Sequence, residues 1–255
     1  MSMRPNFVTA TSLAFSLLLV TALQAQDRLL ADGIRAPDFT SKDVNGRDVR
    51  TSDYTGKVVV LDFWATWCTP CLQSLPHVQE IAKSHRDAGV VVLAVCTSDS
   101  RARFDAWVET NAARYPDVVF TCDPHDRGSD SFDERASKKL YHVSGLPTKF
   151  VIGRDGKVAM GIVGSEKDDV RLEAGLARAG IAIDAAVARA GEAMAAKITK
   201  EEAARAAAAR MAPSFFPSAG KMKSGDEVPD LTLQRADGTE FALSSLRGKP
   251  IVLAV

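Results

Sequence analysis

The chain has 255 residues, 46% of them hydrophobic, and its 32 lysine and arginine residues balance 32 aspartate and glutamate residues. This length and composition allow one sizeable buried core and part of a second. Because the chain carries no net charge, we expect no nucleic-acid partner. Four cysteines are too few for a small disulfide scaffold, and neither they nor the four histidines show metal-ligand spacing, so we expect no metal site.

Residues 1–25 have the pattern of a secretory signal peptide. Arg4 precedes an apolar run from about Phe7 to Leu23, and small residues around Ala25 resemble a cleavage site. An uncleaved membrane anchor is the alternative, although the run is short for a spanning helix. Either arrangement places the rest of the chain in an oxidising compartment.

The most informative stretch is a predicted junction between a strand and a helix. The apolar, β-branched run at residues 58–64 predicts a buried parallel strand. Pro70 is tolerated only in the first turn of a helix, so a helix should begin just before it. Cys68 then lies at the helix N-terminus, where free N–H groups and the helix dipole favour the thiolate. This arrangement suits a dithiol that attacks disulfides through Cys68 and resolves the adduct through Cys71. A structural disulfide and two buried thiols are the alternatives.

Further strands and helices alternate along the chain. We expect strands at residues 89–96 and 118–122, and helices at 100–113, 131–142 and 165–180. Ser131 and Glu134 form a capping-box pattern at the start of the second of these helices, and Ser165 is the expected N-cap of the third. An Asn45-Gly46 turn predicts a hairpin ahead of the first buried strand. The alternation predicts an α/β fold around a mostly parallel sheet.

The C-terminal part differs in composition and contains a repeat. Residues 181–224 are first alanine-rich and charged and then rich in turn-forming residues, which predicts a helical spacer followed by a linker. Residues 225–255 repeat the sequence that precedes the dithiol, since Pro229 follows Pro37 by 192 residues (229 − 37 = 192) and later matches keep this offset. We therefore expect the opening of a second copy of the same fold, truncated at its C-terminal end.

The sequence around the cysteines resembles a known family. Phe-Trp-Ala-Thr-Trp-Cys-Thr-Pro-Cys at residues 63–71 is similar to the signature of the thioredoxin superfamily, and within it of the periplasmic TlpA/ResA-type thiol–disulfide oxidoreductases. Gly-Leu-Pro-Thr at residues 145–148 resembles the family's cis-proline loop. The likeness covers residues 32–180 and implies a thioredoxin-like redox domain. Its α/β fold would have a central mixed β-sheet flanked by helices and an N-terminal β-hairpin extension, and residues 225–255 would begin a second, truncated thioredoxin-like domain.

Asp62 interrupts the apolar strand that leads to the dithiol. In thioredoxin an acidic residue at the matching place is buried behind the dithiol and moves protons for the resolving cysteine, so the resemblance implies this role for Asp62. Burial would raise the pKa of its carboxyl and suit it to take a proton from Cys71. Many TlpA/ResA-like proteins place a glutamate three residues after the second cysteine, where this chain has Ser74. A carboxylate without a catalytic role is the alternative.

The resemblance also implies a substrate-binding edge beside the dithiol. Pro147 would follow a cis peptide bond and would place the Leu146 backbone where it can pair with an extended substrate strand. An ordinary trans turn is the alternative. We expect Trp67 on the exposed rim and Phe63 in the core. The expected catalytic residues are Cys68, Cys71, Asp62 and Pro147, and the expected substrate-binding residues are Trp67, Thr69, Pro70 and Leu146.

Cys96 and Cys122 form a second pair. Both fall at the carboxyl ends of predicted parallel strands that we expect to be neighbours, about 5 Å apart and within disulfide reach. A second disulfide and two buried free thiols are the two alternatives.

These features together predict a thiol–disulfide oxidoreductase of the cell envelope. The resemblance implies a periplasmic enzyme that reduces protein disulfides, for example in apocytochrome c, with electrons from a membrane or envelope donor and no cofactor beyond the Cys68–Cys71 pair. Thr69-Pro70 between the cysteines, with no adjacent histidine, predicts a comparatively reducing dithiol. The alternatives are a non-catalytic thioredoxin-fold binding module and a peroxiredoxin-like peroxidase, which would need a Pro-x-x-x-Thr-x-x-Cys loop that does not precede Cys68.

Overall fold

The computed structural model describes residues 29–211, 232–234 and 239–246. The chain divides into two compact units, the first ending at Glu202 and the second beginning at Ala203. The predicted signal peptide and the predicted linker at residues 213–224 lie outside the described residues. No helix in the described part of the chain is both long and apolar enough to cross a membrane.

Seven strands of the first unit form one mixed β-sheet. The strands are β1 (Thr40–Asp43), β2 (Asp48–Arg50), β3 (Val58–Trp64), β4 (Val90–Cys96), β5 (Val118–Cys122), β6 (Thr148–Ile152) and β7 (Val158–Val163). Their order across the sheet is β2–β1–β5–β4–β3–β6–β7. Strand β3 runs parallel to β4 and antiparallel to β6, and β4 runs parallel to β5. The predicted thioredoxin-like fold with a central mixed sheet is therefore confirmed.

The described residues contain five α-helices. They are α1 (Thr69–Ser84), α2 (Arg101–Asn111), α3 (Ala136–Lys139), α4 (Arg171–Arg178) and α5 (Ala185–Met211). Ser100 caps α2 by accepting a hydrogen bond from the Arg103 N–H, as a serine N-cap should. Pro76 lies inside α1 without ending the helix.

Strand β3 is buried along its whole length because both of its faces are covered. All seven of its side chains are buried, which explains why its sequence is apolar without alternation. One face of β3 packs in the same hydrophobic cluster as the buried side of α1, through Val58, Val60 and Trp64. The opposite face packs in a second cluster, through Val59, Leu61 and Phe63.

Two of the predicted helices are shorter than the sequence indicated. The capping-box prediction at Ser131 is wrong, because Ser131 makes no side-chain cap and an extended Arg135 separates a short 3-10 turn from α3. The last predicted helix begins at Arg171 instead of near Ser165. Asp168 has a left-handed backbone (φ 53°), which a regular helix cannot contain.

The first part of α5 packs against the redox domain. Ile181 is buried in the core, and Ala195 contacts the same cluster. Gly191 permits this close approach, because a Cβ atom there would lie 2.2 Å from the Val170 carbonyl oxygen. The compact unit therefore continues to Glu202, past the expected domain end at residue 180.

The second unit contains a hairpin that matches the first hairpin of the chain. Strands β8 (Thr232–Gln234) and β9 (Glu240–Ala242) pair antiparallel and lead into a 3-10 helix at Leu243–Leu246. The facing pairs of β8–β9 are Thr232↔Ala242 and Gln234↔Glu240, and those of β1–β2 are Thr40↔Arg50 and Lys42↔Asp48. The same register thus recurs at the 192-residue offset of the sequence repeat, and a 3-10 helix follows β2 as well, at Thr51–Tyr54.

Candidate active site

The N-terminus of α1 carries the dithiol. Cys68 is the N-cap residue, with an extended backbone, and Pro70 lies in the first turn, so the helix begins where the sequence predicted. The Cys68 Sγ accepts a hydrogen bond from the Cys71 N–H at 3.3 Å. The two cysteines form a disulfide with their Cα atoms 5.2 Å apart. A sulfur in this capping position lies at the positive end of the helix dipole, which favours a thiolate once the disulfide is reduced.

A buried aspartate holds the loop that precedes Cys68. The Asp99 carboxylate accepts hydrogen bonds from the Thr66 N–H at 2.9 Å and from the Thr66 hydroxyl at 2.6 Å. Asp99 follows β4, so this contact joins the loops at the ends of two neighbouring parallel strands. The sequence alone does not identify Asp99 as a site residue, because its partner can be recognised only when the register of the strands is known.

Trp67 forms an exposed rim next to the dithiol. Its residue surface is 48% exposed, whereas Phe63 is completely buried, so both predictions are confirmed. The indole Nε1–H donates to the Ser98 carbonyl oxygen at 3.1 Å. The Arg127 guanidinium lies 5.6 Å from the centre of the indole ring, within cation–π range. The other exposed residues of the motif are Thr69 and Pro70.

The Leu146–Pro147 peptide bond is cis, as the resemblance implies. Pro147 is buried, and its carbonyl oxygen accepts a hydrogen bond from the Gly164 N–H at 2.8 Å. Leu146 is half-buried and packs against the core cluster that includes Cys68. Among the described residues, none makes a backbone hydrogen bond with Leu146.

Asp62 is buried opposite a lysine. It is only 1% exposed, and its register partner on β6 is Lys149, which is 5% exposed. The Lys149 Nζ lies 3.6 Å from Asp62 Oδ1. Burial raises the pKa of the Asp62 carboxyl, and the positive charge of Lys149 opposes that rise. The predicted burial of Asp62 is confirmed, and its raised pKa is the property that a proton acceptor at this place needs.

Ser74 joins the lysine to the helix that carries the dithiol. The Ser74 hydroxyl donates to the Cys71 carbonyl oxygen at 2.9 Å and accepts a hydrogen bond from Lys149 Nζ at 3.2 Å. Lys149 is not among the site residues that the sequence predicted. The available signal was a lysine inside the apolar strand at residues 148–152, which resembles the way Asp62 interrupts β3.

Cys96 and Cys122 face each other across β4 and β5. They are register partners, both are buried, and the structure contains them as free thiols. Two causes raise the pKa of the Cys96 thiol: the neighbouring Cys122 thiol has the larger effect, and burial has the smaller one. A second disulfide between them stays a prediction. In the described part of the chain, no three histidine, cysteine, aspartate or glutamate side chains come together as a metal site.

Comparisons with known proteins agree with this geometry. Residues 33–160 match the AhpC/TSA family. The thiol-disulfide oxidoreductase ResA of Geobacillus thermodenitrificans is 34% identical over 143 residues, which cover 56% of this chain and 75% of the relative. ResA of Geobacillus kaustophilus is 31% identical over 169 residues, which cover 66% of this chain and 90% of the relative.

A solved structure with a related sequence is the thiol:disulfide interchange protein DsbE from Chlorobium tepidum. It shows 36% identity and a TM-score of 0.49, and the match covers 59% of this chain and 98% of that one. The family match and the ResA relatives span the part of the chain that holds the dithiol. The chain therefore belongs to the AhpC/TSA family of the thioredoxin superfamily and is a thiol–disulfide oxidoreductase.

Proposed function

We propose that this enzyme works as a reductase of protein disulfides in the cell envelope. The observation that carries the proposal is the position of Cys68, whose sulfur caps α1 and accepts the Cys71 N–H beside an exposed tryptophan rim. A thiolate at a helix N-terminus is both stabilised and nucleophilic enough to attack a disulfide. The substrate class is an exposed disulfide in an extended protein segment, and apocytochrome c is the substrate that the family resemblance suggests.

In the first step, the Cys68 thiolate attacks one sulfur of the substrate disulfide. A new bond forms between Cys68 Sγ and that sulfur, and the second substrate sulfur leaves as a thiolate. Unpaired N–H groups at the start of α1 offset the charge of the attacking thiolate.

In the second step, Cys71 resolves the mixed disulfide. Its thiol gives a proton to the Asp62 carboxylate, and the resulting thiolate attacks Cys68 Sγ. The Cys68–Cys71 disulfide forms, the bond between Cys68 and the substrate breaks, and the substrate sulfur that Cys68 had attacked leaves as a thiolate. Two electrons have then passed from the enzyme dithiol to the substrate, whose disulfide is reduced. The cysteine pair is the only redox group that this cycle requires.

The proposed substrate-binding surface surrounds Cys68. The backbone of Leu146 would pair with an extended substrate segment, a mode of recognition that tolerates many side chains. The indole of Trp67 would supply apolar contact area beside the reacting sulfur. Thr69 and Pro70 complete the rim.

We further propose that the protein is exported and receives electrons from a membrane or envelope donor. The support is the apolar run near the N-terminus, which reads as a signal peptide or, alternatively, as an anchor. We also propose that residues 225–255 belong to a second thioredoxin-like domain. The sequence repeat and the recurring register of the β8–β9 hairpin support this organisation.

A two-part experiment tests the reductase proposal. The reduced full chain should reduce the disulfides of insulin, and the Cys68→Ser variant should not. Equilibration with glutathione should give a reduction potential near that of thioredoxin, about −270 mV, whereas a value near that of the oxidant DsbA, about −120 mV, would reverse the proposed direction. Consumption of hydrogen peroxide in place of insulin reduction would point to the peroxidase alternative.

A further inference from the structure

The exposed tryptophan beside the dithiol has a positive charge next to its ring. The Arg127 guanidinium lies 5.6 Å from the centre of the Trp67 indole ring, and both residues are exposed. Trp67 directly precedes Cys68 in the chain, so their Cα atoms are about 3.8 Å apart. A substrate segment whose disulfide reacts with Cys68 would therefore lie near the charge of Arg127.

The backbone of Arg127 is fixed relative to the loop that precedes the dithiol. Its N–H donates to the Asp99 carbonyl oxygen at 2.9 Å. The Asp99 carboxylate accepts a hydrogen bond from the Thr66 N–H in that loop. The Trp67 indole Nε1–H donates to the carbonyl oxygen of Ser98, which precedes Asp99. Arg127 and the dithiol loop are thus attached to the same short segment, which keeps the cation beside the indole.

The charge of Arg127 is not neutralised by an ion pair. Within the described residues, the guanidinium makes no hydrogen bond and no ion pair, and its ring contact is with Trp67. An exposed guanidinium presents several N–H donors in a planar arrangement that matches a carboxylate. Arg127 is therefore free to bind a carboxylate that approaches from outside the protein.

The acidic residues of the same loop do not occupy Arg127. Five acidic residues lie between β5 and α3, and the exposed Asp130 is the one that makes no bond to a neighbour. The other four have hydrogen-bond or ion-pair partners other than Arg127, and they are Asp123, Asp126, Asp133 and Glu134. Elsewhere around Cys68, residues 66–73 and the cis-proline loop at residues 143–148 contain no lysine, arginine, aspartate or glutamate. Arg127 is thus the charge that a substrate meets beside the Trp67 ring.

We propose that Arg127 is a specificity residue, and that the preferred substrates carry an aspartate or glutamate close to the cysteine that Cys68 attacks. This inference rests on the proposed function and names a subclass of its protein substrates. In an extended segment, alternate side chains share a face and the chain advances about 3.3 Å per residue. An acid two residues from the attacked cysteine lies roughly 7 Å from it, which would bring the acid past Trp67 towards the guanidinium.

The test compares two peptides that differ in the charge beside one cysteine. Each is a short extended peptide whose central cysteine is joined to nitrothiobenzoate. The residues two positions to either side of the cysteine are aspartate in one peptide and lysine in the other. When the Cys68 thiolate attacks the peptide sulfur, a Cys68–peptide disulfide forms and the coloured nitrothiobenzoate thiolate leaves, which stopped flow records. The rate ratio of the two peptides with uncharged 2-mercaptoethanol corrects for their intrinsic reactivity.

The reduced enzyme should react faster with the aspartate peptide. We expect a corrected rate ratio of about fivefold at low ionic strength, the upper end of the effect of an exposed ion pair. The ratio should approach one at about 1 M salt, where the Debye length is about 3 Å. In Arg127→Glu the preference should invert, and in Arg127→Lys, which keeps the charge, it should persist. Because the ratio compares two peptides on one variant, a general loss of activity does not change it.

Arg114 provides a matched control. Its guanidinium also lies 5.6 Å from the centre of an aromatic ring, that of Tyr115, and Arg114 is exposed. Arg114 precedes the N-terminal end of β5, whereas Cys68 follows the C-terminal end of β3. Because β3, β4 and β5 are parallel, the two residues lie at opposite edges of the sheet. Arg114→Glu should therefore leave the ratio unchanged.

Two results would overturn the inference. One is a corrected ratio near one for the wild type at low ionic strength, and the other is a ratio that Arg127→Glu leaves unchanged or that Arg114→Glu changes equally. Failure of the proposed function gives a different result, because the reduced enzyme would then leave the disulfides of insulin intact whatever the peptide ratio. If insulin is reduced and the ratio stays near one, the reductase proposal stands and this inference fails.

Discussion

The two cysteine pairs of this protein occupy contrasting places in one hydrophobic core. Cys68 and Cys71 lie at a junction between loop and helix, where the Cys68 sulfur receives a backbone hydrogen bond. Cys96 and Cys122 lie at the ends of two paired strands, with buried residues before and after them. All four cysteines are themselves buried residues, so residue burial alone does not distinguish the pairs.

The difference lies in what surrounds each sulfur. Next to Cys68, the exposed residues Trp67, Thr69 and Pro70 form a surface that a partner protein can reach, and the helix N-terminus favours a thiolate. The surroundings of Cys96 act in the opposite direction, because its neighbour and its burial raise the pKa of its thiol. Proximity of two cysteines is therefore not enough for redox activity, and the environment decides which pair reacts.

The largest expected effect separates the two pairs directly. Cys68→Ser should abolish insulin reduction, whereas the double variant Cys96→Ser/Cys122→Ser should retain most of it. In the native reduced enzyme, iodoacetamide followed by mass spectrometry should modify Cys68 but leave Cys96 and Cys122 unmodified until the chain is unfolded. Equal loss of activity in both variants would mean that the second pair takes part in the reaction.

Asp62→Asn should give the next largest effect, because an amide cannot accept the Cys71 proton. We expect the rate of mixed-disulfide resolution to fall by about 10²-fold, the low end of general acid–base effects. The rate should also lose the pH dependence that titration of the Asp62 carboxyl causes. Stopped-flow detection of the coloured thiolate that is released from a mixed disulfide between Cys68 and nitrothiobenzoate measures this rate. Asp123→Asn is a matched control, since burial also raises the pKa of Asp123, but its carboxylate binds the loop N–H groups of His125 and Ala136. A similar slowing in Asp123→Asn would show that Asp62 is not specifically required for resolution.

Trp67→Ala should have an intermediate effect that depends on the substrate. Loss of the exposed indole removes contact area for a protein partner, so we expect kcat/KM for insulin to fall by about tenfold, equivalent to about 1.4 kcal/mol. Reduction of a small synthetic disulfide should change little. Val44→Ala truncates another exposed apolar side chain, away from the dithiol motif, and should affect neither substrate. If Trp67→Ala lowers kcat/KM equally for insulin and for the small disulfide, the substitution has changed the reactivity of the dithiol and not the binding of the protein substrate.

The smallest expected effect concerns a contact that holds α1, the helix that carries Cys68 and Cys71, against α4. His77 on α1 contacts Glu173 on α4 at 2.8 Å, and this hydrogen bond raises the pKa of His77. The resulting stabilisation is complete below the unfolded-state pKa of about 6.5 and is lost as pH rises through the higher folded-state pKa.

Denaturant unfolding of the oxidised protein and of His77→Gln measures this linkage. The difference in the free energy of unfolding should be larger at about pH 6 than at about pH 9, by no more than about 0.5 kcal/mol, because solvent screens the partly exposed imidazole. A difference that grows with pH would contradict the assignment.

The sequence predicted the parts of the site that depend on local signals. The apolar run before the dithiol and Pro70 after Cys68 determine a strand and a helix start without reference to the rest of the chain. The family resemblance added the cis peptide before Pro147, which no local propensity indicates. Ser131 shows the limit of such signals, because a capping pattern can be present where the neighbouring backbone is too extended for a long helix to follow.

The parts that could not be predicted depend on contacts between distant segments. Lys149 and Asp62 are separated by most of the domain, and only the register of β3 with β6 shows that they face each other. The same applies to Asp99, which supports Thr66 from the neighbouring strand end. A charged residue inside an apolar strand indicates that a buried partner is needed, but the sequence does not identify that partner.

The measurement that tests the central claim most directly is trapping of the mixed disulfide. The reduced Cys71→Ser variant is mixed with a disulfide-containing protein, quenched with acid, and analysed by mass spectrometry without reduction. The account predicts a covalent adduct through Cys68 that accumulates because no resolving thiol is present, and no adduct in Cys68→Ser. An adduct through Cys71 in Cys68→Ser, with none in Cys71→Ser, would contradict it.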